Sequence, residues 1–181
     1  MYGVPQGSVL GPMYTTPLSD IIANHSVNHQ LFADDTQLQK SDPLSEMTSL
    51  TKELSACTYG IKTWMTENQL KLNEDKTEVV LFPFSSSLKP TVSLPDSIAL
   101  GSHNILFSDS ARNLGVILDS QLSTKKHIIK ISQTAYLELK SISSIRRFLT
   151  EDATKTLATF YILSRLDYCN CLLMGAPNFV I

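Results

Sequence analysis

Cysteine is scarce in this sequence, with Cys57, Cys169 and Cys171 the three among 181 residues. An odd count without a CxxC pair argues against a disulfide framework. Cys169 and Cys171 stand too close together, with no histidine beside them, for zinc-finger spacing. Packed or free thiols in a reducing compartment are the simplest expectation. No apolar run approaches the ~18 residues that a membrane-spanning helix needs. The opening residues also lack the basic start and apolar stretch of a signal peptide. Internal repeats and low-complexity tracts are absent. Neither secretion nor a membrane partner is expected, and an intracellular protein is.

What is present is ordinary in bulk and uneven in distribution. The chain is 43% hydrophobic and 18% charged, as soluble globular domains are, and long enough for its own core. Net charge is −2, but residues 1–122 hold 7 Lys and Arg against 13 Asp and Glu, a balance of −6. Residues 123–181 hold 8 against 4, a balance of +4. An acidic body and a basic tail suit a protein that holds cations in one region and phosphates in another; two ordinary solvated surfaces would give the same sums.

The periodicity predicts a mixed fold. A short helix interrupted near Pro12 and Pro17 is expected over 8–24, with Val9, Leu10, Met13, Leu18, Ile21 and Ile22 as its apolar positions. Two short strands, 27–33 and 36–39, flank a tight Ala33-Asp34-Asp35 turn. Asp42 and Pro43 read as N-cap and first residue of a long amphipathic helix through Trp64. A strand is expected over 77–82, a surface loop over 84–91, and three more strands near 92–99, 103–107 and 113–118. Beyond Ser123 the spacing turns helical: Ile128, Ile131, Ala135, Leu139, Ile142 and Ile145 mark one helix. Thr150 caps another that carries Leu157, Phe160, Tyr161 and Leu163.

Four segments carry chemistry. Asp34 and Asp35 are adjacent carboxylates forced close together on a hairpin, and their repulsion costs free energy unless a cation relieves it; a hard divalent ion such as Mg²⁺ takes such oxygen ligands. A solvated aspartate turn is the ordinary alternative. In Gly3-Val4-Pro5-Gln6-Gly7-Ser8, Pro5 stiffens a loop, Gly7 permits close approach of another molecule, and Gln6 offers a donor and an acceptor; it could also be a plain helix lead-in. Lys76 stands where a loop enters a strand and could reach a phosphate or donate a proton to a leaving group, or be an ordinary exposed lysine. In Arg112-Asn113-Leu114-Gly115-Val116-Ile117-Leu118-Asp119 the glycine permits close backbone approach, although a buried strand would read the same way.

In this order and spacing the segments resemble the reverse transcriptases of non-LTR (LINE-type) retrotransposons. Gly3–Ser8 is similar to that family's motif B. Phe32-Ala33-Asp34-Asp35 is similar to motif C, with phenylalanine where tyrosine is more usual. Leu72-Asn73 through Lys76-Thr77 resembles motif D, and Asn113-Leu114-Gly115-Val116 resembles motif E. Ser164-Arg165-Leu166-Asp167-Tyr168-Cys169-Asn170 is similar to the segment after the palm, while Thr124 stands where the family pattern has an aromatic residue.

The resemblance implies an α+β fold: a partial polymerase palm over 1–122, an antiparallel sheet with packed helices, then a basic helical thumb-like region over 123–181. It implies RNA-directed DNA polymerase chemistry with Mg²⁺ or Mn²⁺ as cofactor. Its partners would be an RNA template, a DNA primer and deoxynucleoside triphosphates, in the nucleus or cytoplasm. Asp34 would be a metal ligand, with Asp35 supporting or sharing that duty. Pro5, Gln6 and Gly7 would line the nucleotide and template pocket, and Lys76 would assist pyrophosphate departure. Leu114 and Gly115 would lie in the primer grip. Lys125, Lys126, Lys130, Lys140, Arg146 and Arg147 would hold the duplex backbone.

The family's motif A aspartate precedes motif B, and the first aspartate here is Asp20. Asp34 and Asp35 alone supply too few ligands for a two-metal site. The isolated chain is therefore expected not to polymerise without the N-terminal half of the enzyme. A non-catalytic RNA- or DNA-binding remnant, a decayed reading frame and another metal-dependent phosphotransferase are the alternatives.

Overall fold

In the computed structural model, residues 10–83, 96–100 and 103–173 are described. They fall into two compact units. The first takes the chain through Val79 and returns between Asp96 and Phe107; the second has the stretch from Val80 and everything from Ser108. Helices and small two-stranded antiparallel sheets make up both, compatible with an α+β composition.

The first unit begins with α1 (Leu10–Thr15) and α2 (Leu18–Ala23), separated at Pro17, where the missing N–H interrupts the helical ladder. Next come β1 (Asn28–Phe32) and β2 (Asp35–Gln39), paired antiparallel with His29 opposite Leu38 and Phe32 opposite Asp35. The 21-residue α3 (Met47–Glu67) lies beneath them. Leu18 and Ile22 of α2, Val27, and Cys57 and Ile61 of α3 form the buried cluster, with Leu31 and Leu38 packed against it. The aliphatic side chains among them each contribute about 1.5–3 kcal/mol by leaving water. Leu31 and Leu38 thus fix which face of the hairpin turns inward. Burial also pushes the Cys57 thiol up from its ordinary range.

Helix α3 enters differently from the expectation. Asp42 caps nothing: its carboxylate lies 3.8 Å from Lys40 Nζ, and Lys40 also pairs with Glu53 of α3. Pro43 stays extended at ψ 147°, a 3₁₀ turn over Leu44–Glu46 follows, and the α-helix starts at Met47. An ion pair with a neighbouring lysine has drawn the aspartate away from the helix end.

The expected strand over 77–82 reduces to one bridge between Val79 and Phe107. A 3₁₀ turn, Glu74–Lys76, occupies the approach, and Thr77 Oγ1 donates back to the Asn73 carbonyl at 3.0 Å. Residues 84–91 lie outside the described residues, as does the start of the strand expected from 92. What is described there is β3 (Ser97–Leu100), paired antiparallel with β4 (His103–Leu106); Ile98 and Leu100 are buried and β3 packs on α3.

In the second unit the single strand expected over 113–118 is a hairpin. Strands β5 (Ser110–Asn113) and β6 (Val116–Asp119) pair antiparallel, joined by Leu114 and Gly115. Both turn residues have positive φ, 45° and 87°, the signature of a type I′ turn whose twist suits a hairpin. Helix α4 (Lys125–Ile145) packs on β6. Then α5 (Glu151–Ala158), a π-type turn over Thr159–Leu163, and α6 (Ser164–Asp167) run in succession. Thr150 caps α5 as expected, its Oγ1 accepting from Ala153 N at 3.2 Å. The apolar stripe of α4 is less covered than its period predicts. Ile142 is buried, whereas Leu139 and Ile145 are exposed, as are Phe160 and Leu163 further on. Two successive helical segments and one hairpin cannot enclose that much apolar surface.

Candidate functional site

Asp34 and Asp35 lie at the tip of the β1–β2 hairpin, both exposed. Ala33 takes φ 56°, the positive value that a type II′ turn demands at its first central position and that L-residues adopt at a cost. The hairpin base is anchored twice. Leu31 and Leu38 enter the core, and the ring of His29 shares a 2.6 Å hydrogen bond with Ser19 Oγ of α2. No third strand joins β1 and β2 among the described residues. Phe32, next to the turn, is 62% exposed.

The carboxylates have the right chemistry for a hard cation and the wrong number. Mg²⁺ asks for near-octahedral oxygen coordination. Among the described residues, no group of three or more His, Cys, Asp or Glu side chains comes together as a metal cage. Two adjacent aspartates fall short of such a cage.

Lys76 belongs to the same unit, exposed at the end of the 3₁₀ turn. The residue that fixes this turn is Glu74, to which sequence reasoning gave no role. Its carboxylate binds Lys62 Nζ of α3 at 2.5 Å and also pairs with His103 of β4. The bond from Lys62 holds the Glu74 carboxyl below its ordinary range, with the charge of His103 adding to it. Pro5, Gln6 and Gly7 lie outside the described residues.

Leu114 and Gly115 form the β5–β6 turn in the second unit, and three side chains clasp that hairpin. Tyr168, just past α6, donates its hydroxyl to the Leu114 carbonyl at 2.6 Å. Nδ1 of His127 on α4 accepts from Ile117 N at 3.3 Å. Asp119, at the end of β6, accepts at Oδ1 from Gln121 N and Ser123 N, both at 3.0 Å, and at Oδ2 from Ser123 Oγ at 2.8 Å. His127 is 4% exposed and Asp119 6%. Burial lowers the His127 pKa. For Asp119 burial acts upward, but the bonds from Ser123 and Gln121 and the charge of Lys126 together outweigh it, and the net direction is down. Sequence could have flagged Asp119: an aspartate ending an apolar strand, with serine four residues on, is a turn-capping signal.

The basic residues Lys125, Lys126, Lys130, Lys140, Arg146 and Arg147 are all exposed. Lys126, Lys130, Gln133, Leu137 and Lys140 follow a 4-3-4-3 spacing along one face of α4, so the three lysines share a stripe about 21 Å long. The acid within α4, Glu138, falls off this stripe. Lys126 Nζ donates to Ser110 Oγ at 3.2 Å, tying the stripe's first turn to β5. Arg147 stacks over the Phe148 ring, 4.6 Å from its centroid. Among the described residues no helix is long and apolar enough to cross a membrane.

Over 142 aligned positions the chain is 32% identical to the "RNA-directed DNA polymerase from mobile element jockey" of Drosophila melanogaster. The alignment covers 72% of this chain and 14% of that protein, so the chain spans a small part of its relative's length. No protein-family profile and no solved structure matches it.

Proposed function

Because the chain belongs to the reverse transcriptase family of non-LTR mobile elements, we propose that it is the C-terminal palm and the first part of the thumb of such a polymerase. In this reading residues 1–122 are palm and residues 123–181 thumb-like. The observation that carries it is the tight β1–β2 hairpin, whose core-anchored base presents Asp34 and Asp35 together at its tip. The substrates are deoxynucleoside triphosphates and a primer on an RNA template. Asp34, with Asp35 beside it, contributes carboxylate oxygens to the Mg²⁺ or Mn²⁺ of the polymerase, and a further carboxylate comes from elsewhere in the enzyme. Bound there, the metal neutralises charge developing on phosphate oxygens.

The other residues work on the nucleic acid. Pro5, Gln6 and Gly7 line the nucleotide and template pocket. Lys76, its turn braced by Glu74, delivers a proton towards the leaving pyrophosphate. The Leu114–Gly115 turn meets the primer strand, and the α4 lysines with Arg146 and Arg147 hold duplex phosphates without reading sequence.

With two carboxylates for a site that needs more, the 181-residue chain by itself binds primer–template and does not extend it. Primer extension by the purified chain, with RNA template and Mg²⁺, checks this: no product is expected where duplex binding is seen. Robust extension lost in Asp34→Asn would show a complete site within the chain and overturn the fragment reading.

A further inference from the structure

We propose that Tyr168 is a positioning residue that holds the Leu114–Gly115 turn in the shape in which it meets a nucleic-acid strand. The inference rests on the assignment of that turn to primer contact and adds the side chain that fixes it. Three observations converge. The Tyr168 hydroxyl donates to the Leu114 carbonyl at 2.6 Å across 54 residues of sequence. Its ring covers Gly115 so closely that a Cβ there would lie 3.2 Å from Cε1. Leu114 itself sits at φ 45°, a conformation a leucine does not choose unaided, so something outside the turn must hold it.

The clasp is local to the tip. His127 holds strand β6 through Ile117 N, and Asp119 holds the strand's far end. Only Tyr168 among these three reaches the turn. Tyr168 also follows α6 directly, its N–H donating to Ser164 O at 3.1 Å, so the hydroxyl is carried on a helix end. The groove beside it is lined by His127, Ile128, Ile131, Leu166 and Cys169, which join α4 to the same helix end. A ring that covers Gly115 and binds the preceding carbonyl fixes the turn's backbone, as a backbone contact to phosphate or sugar requires.

The test uses the full chain with Tyr168→Phe, which keeps the ring, and Gly115→Ala, which meets both the ring and the positive φ. Amide exchange is read over 113–117 against α3 as internal reference. Fluorescence anisotropy compares a DNA primer–RNA template with a recessed 3′ end and a blunt duplex of equal length. In Tyr168→Phe, exchange over 113–117 should rise roughly 2- to 10-fold, the worth of one hydrogen bond, with α3 unchanged. The preference for the recessed end should fall several-fold while the salt dependence stays as it was, because the phosphate-binding lysines are untouched. Gly115→Ala should give the same two effects. Unchanged exchange in both variants overturns the tether. Raised exchange with the end preference intact overturns the positioning role. A wild-type chain that binds duplex without end preference overturns the proposal through its premise, and the exchange data then separate that failure from failure of the tether.

Discussion

The main-chain N–H of Ile117 donates to Nδ1 of His127, a ring buried on the opposing face of α4. A ring nitrogen can accept that bond only while it carries no proton. Hairpin and helix are therefore joined by a contact that exists in the neutral state of one histidine.

The pH dependence follows from the direction of that shift. Burial lowers the folded-state pKa of His127 below the unfolded value, so the contribution is complete above about pH 6.5 and is lost as pH falls from there through the folded value. The thermal stability of the second unit should hold from pH 7.5 to about pH 6.5 and fall progressively from there to about pH 5. In His127→Gln, whose amide oxygen can accept the same N–H without titrating, that segment of the profile should flatten. An identical slope in the variant would place the acid sensitivity elsewhere.

Asp119 makes the second joint. One buried carboxylate satisfies two backbone N–H groups and a hydroxyl in the connection between β6 and α4. Asp119→Ala leaves those donors without their acceptor and should cost about 2–4 kcal/mol, read as a drop in the denaturation midpoint. The carboxyl is held below its ordinary pKa, so its contribution stands above about pH 4 and fades only as pH falls further. That window lies below the one for His127, and the two are separable in a single titration.

The stripe of α4 predicts a salt effect. Replacing Lys126, Lys130 and Lys140 by Gln should weaken duplex binding equally across sequences and reduce the slope of log K against log salt by about one for each phosphate no longer neutralised. Binding titrations between low and moderate salt read this directly. A slope that does not move would remove α4 from the interface.

Much of this arrangement was legible in the sequence where local pattern and tertiary need agree. The alternation around Ala33-Asp34-Asp35 gave a hairpin with its acids at the tip, and the 3-4 spacing from Leu44 to Trp64 gave α3, although Leu44 itself falls in the 3₁₀ turn before it. Thr150 announced its helix correctly. The misses have one cause. The run Arg112–Asp119 looks like one strand because a leucine precedes the glycine, where a hairpin turn ordinarily carries Asn-Gly; the left-handed Leu114 is held by Tyr168, 54 residues away. Likewise Asp42 reads as a cap until Lys40, which also pairs with Glu53 of α3, is seen beside it. Leu139 and Ile145 mark their helix correctly by period, and period cannot say whether anything lies opposite them.

The central claim is that the acids at the β1–β2 tip belong to a polymerase metal site completed by the rest of such an enzyme. RNA-templated primer extension measures it, with this chain joined behind the N-terminal half of a related mobile-element polymerase. Extension should appear in the joined protein and fall by at least about a hundredfold in Asp34→Asn, the order of loss when a charge-stabilising group leaves an active site. Extension that survives Asp34→Asn and Asp35→Asn undiminished would contradict the account.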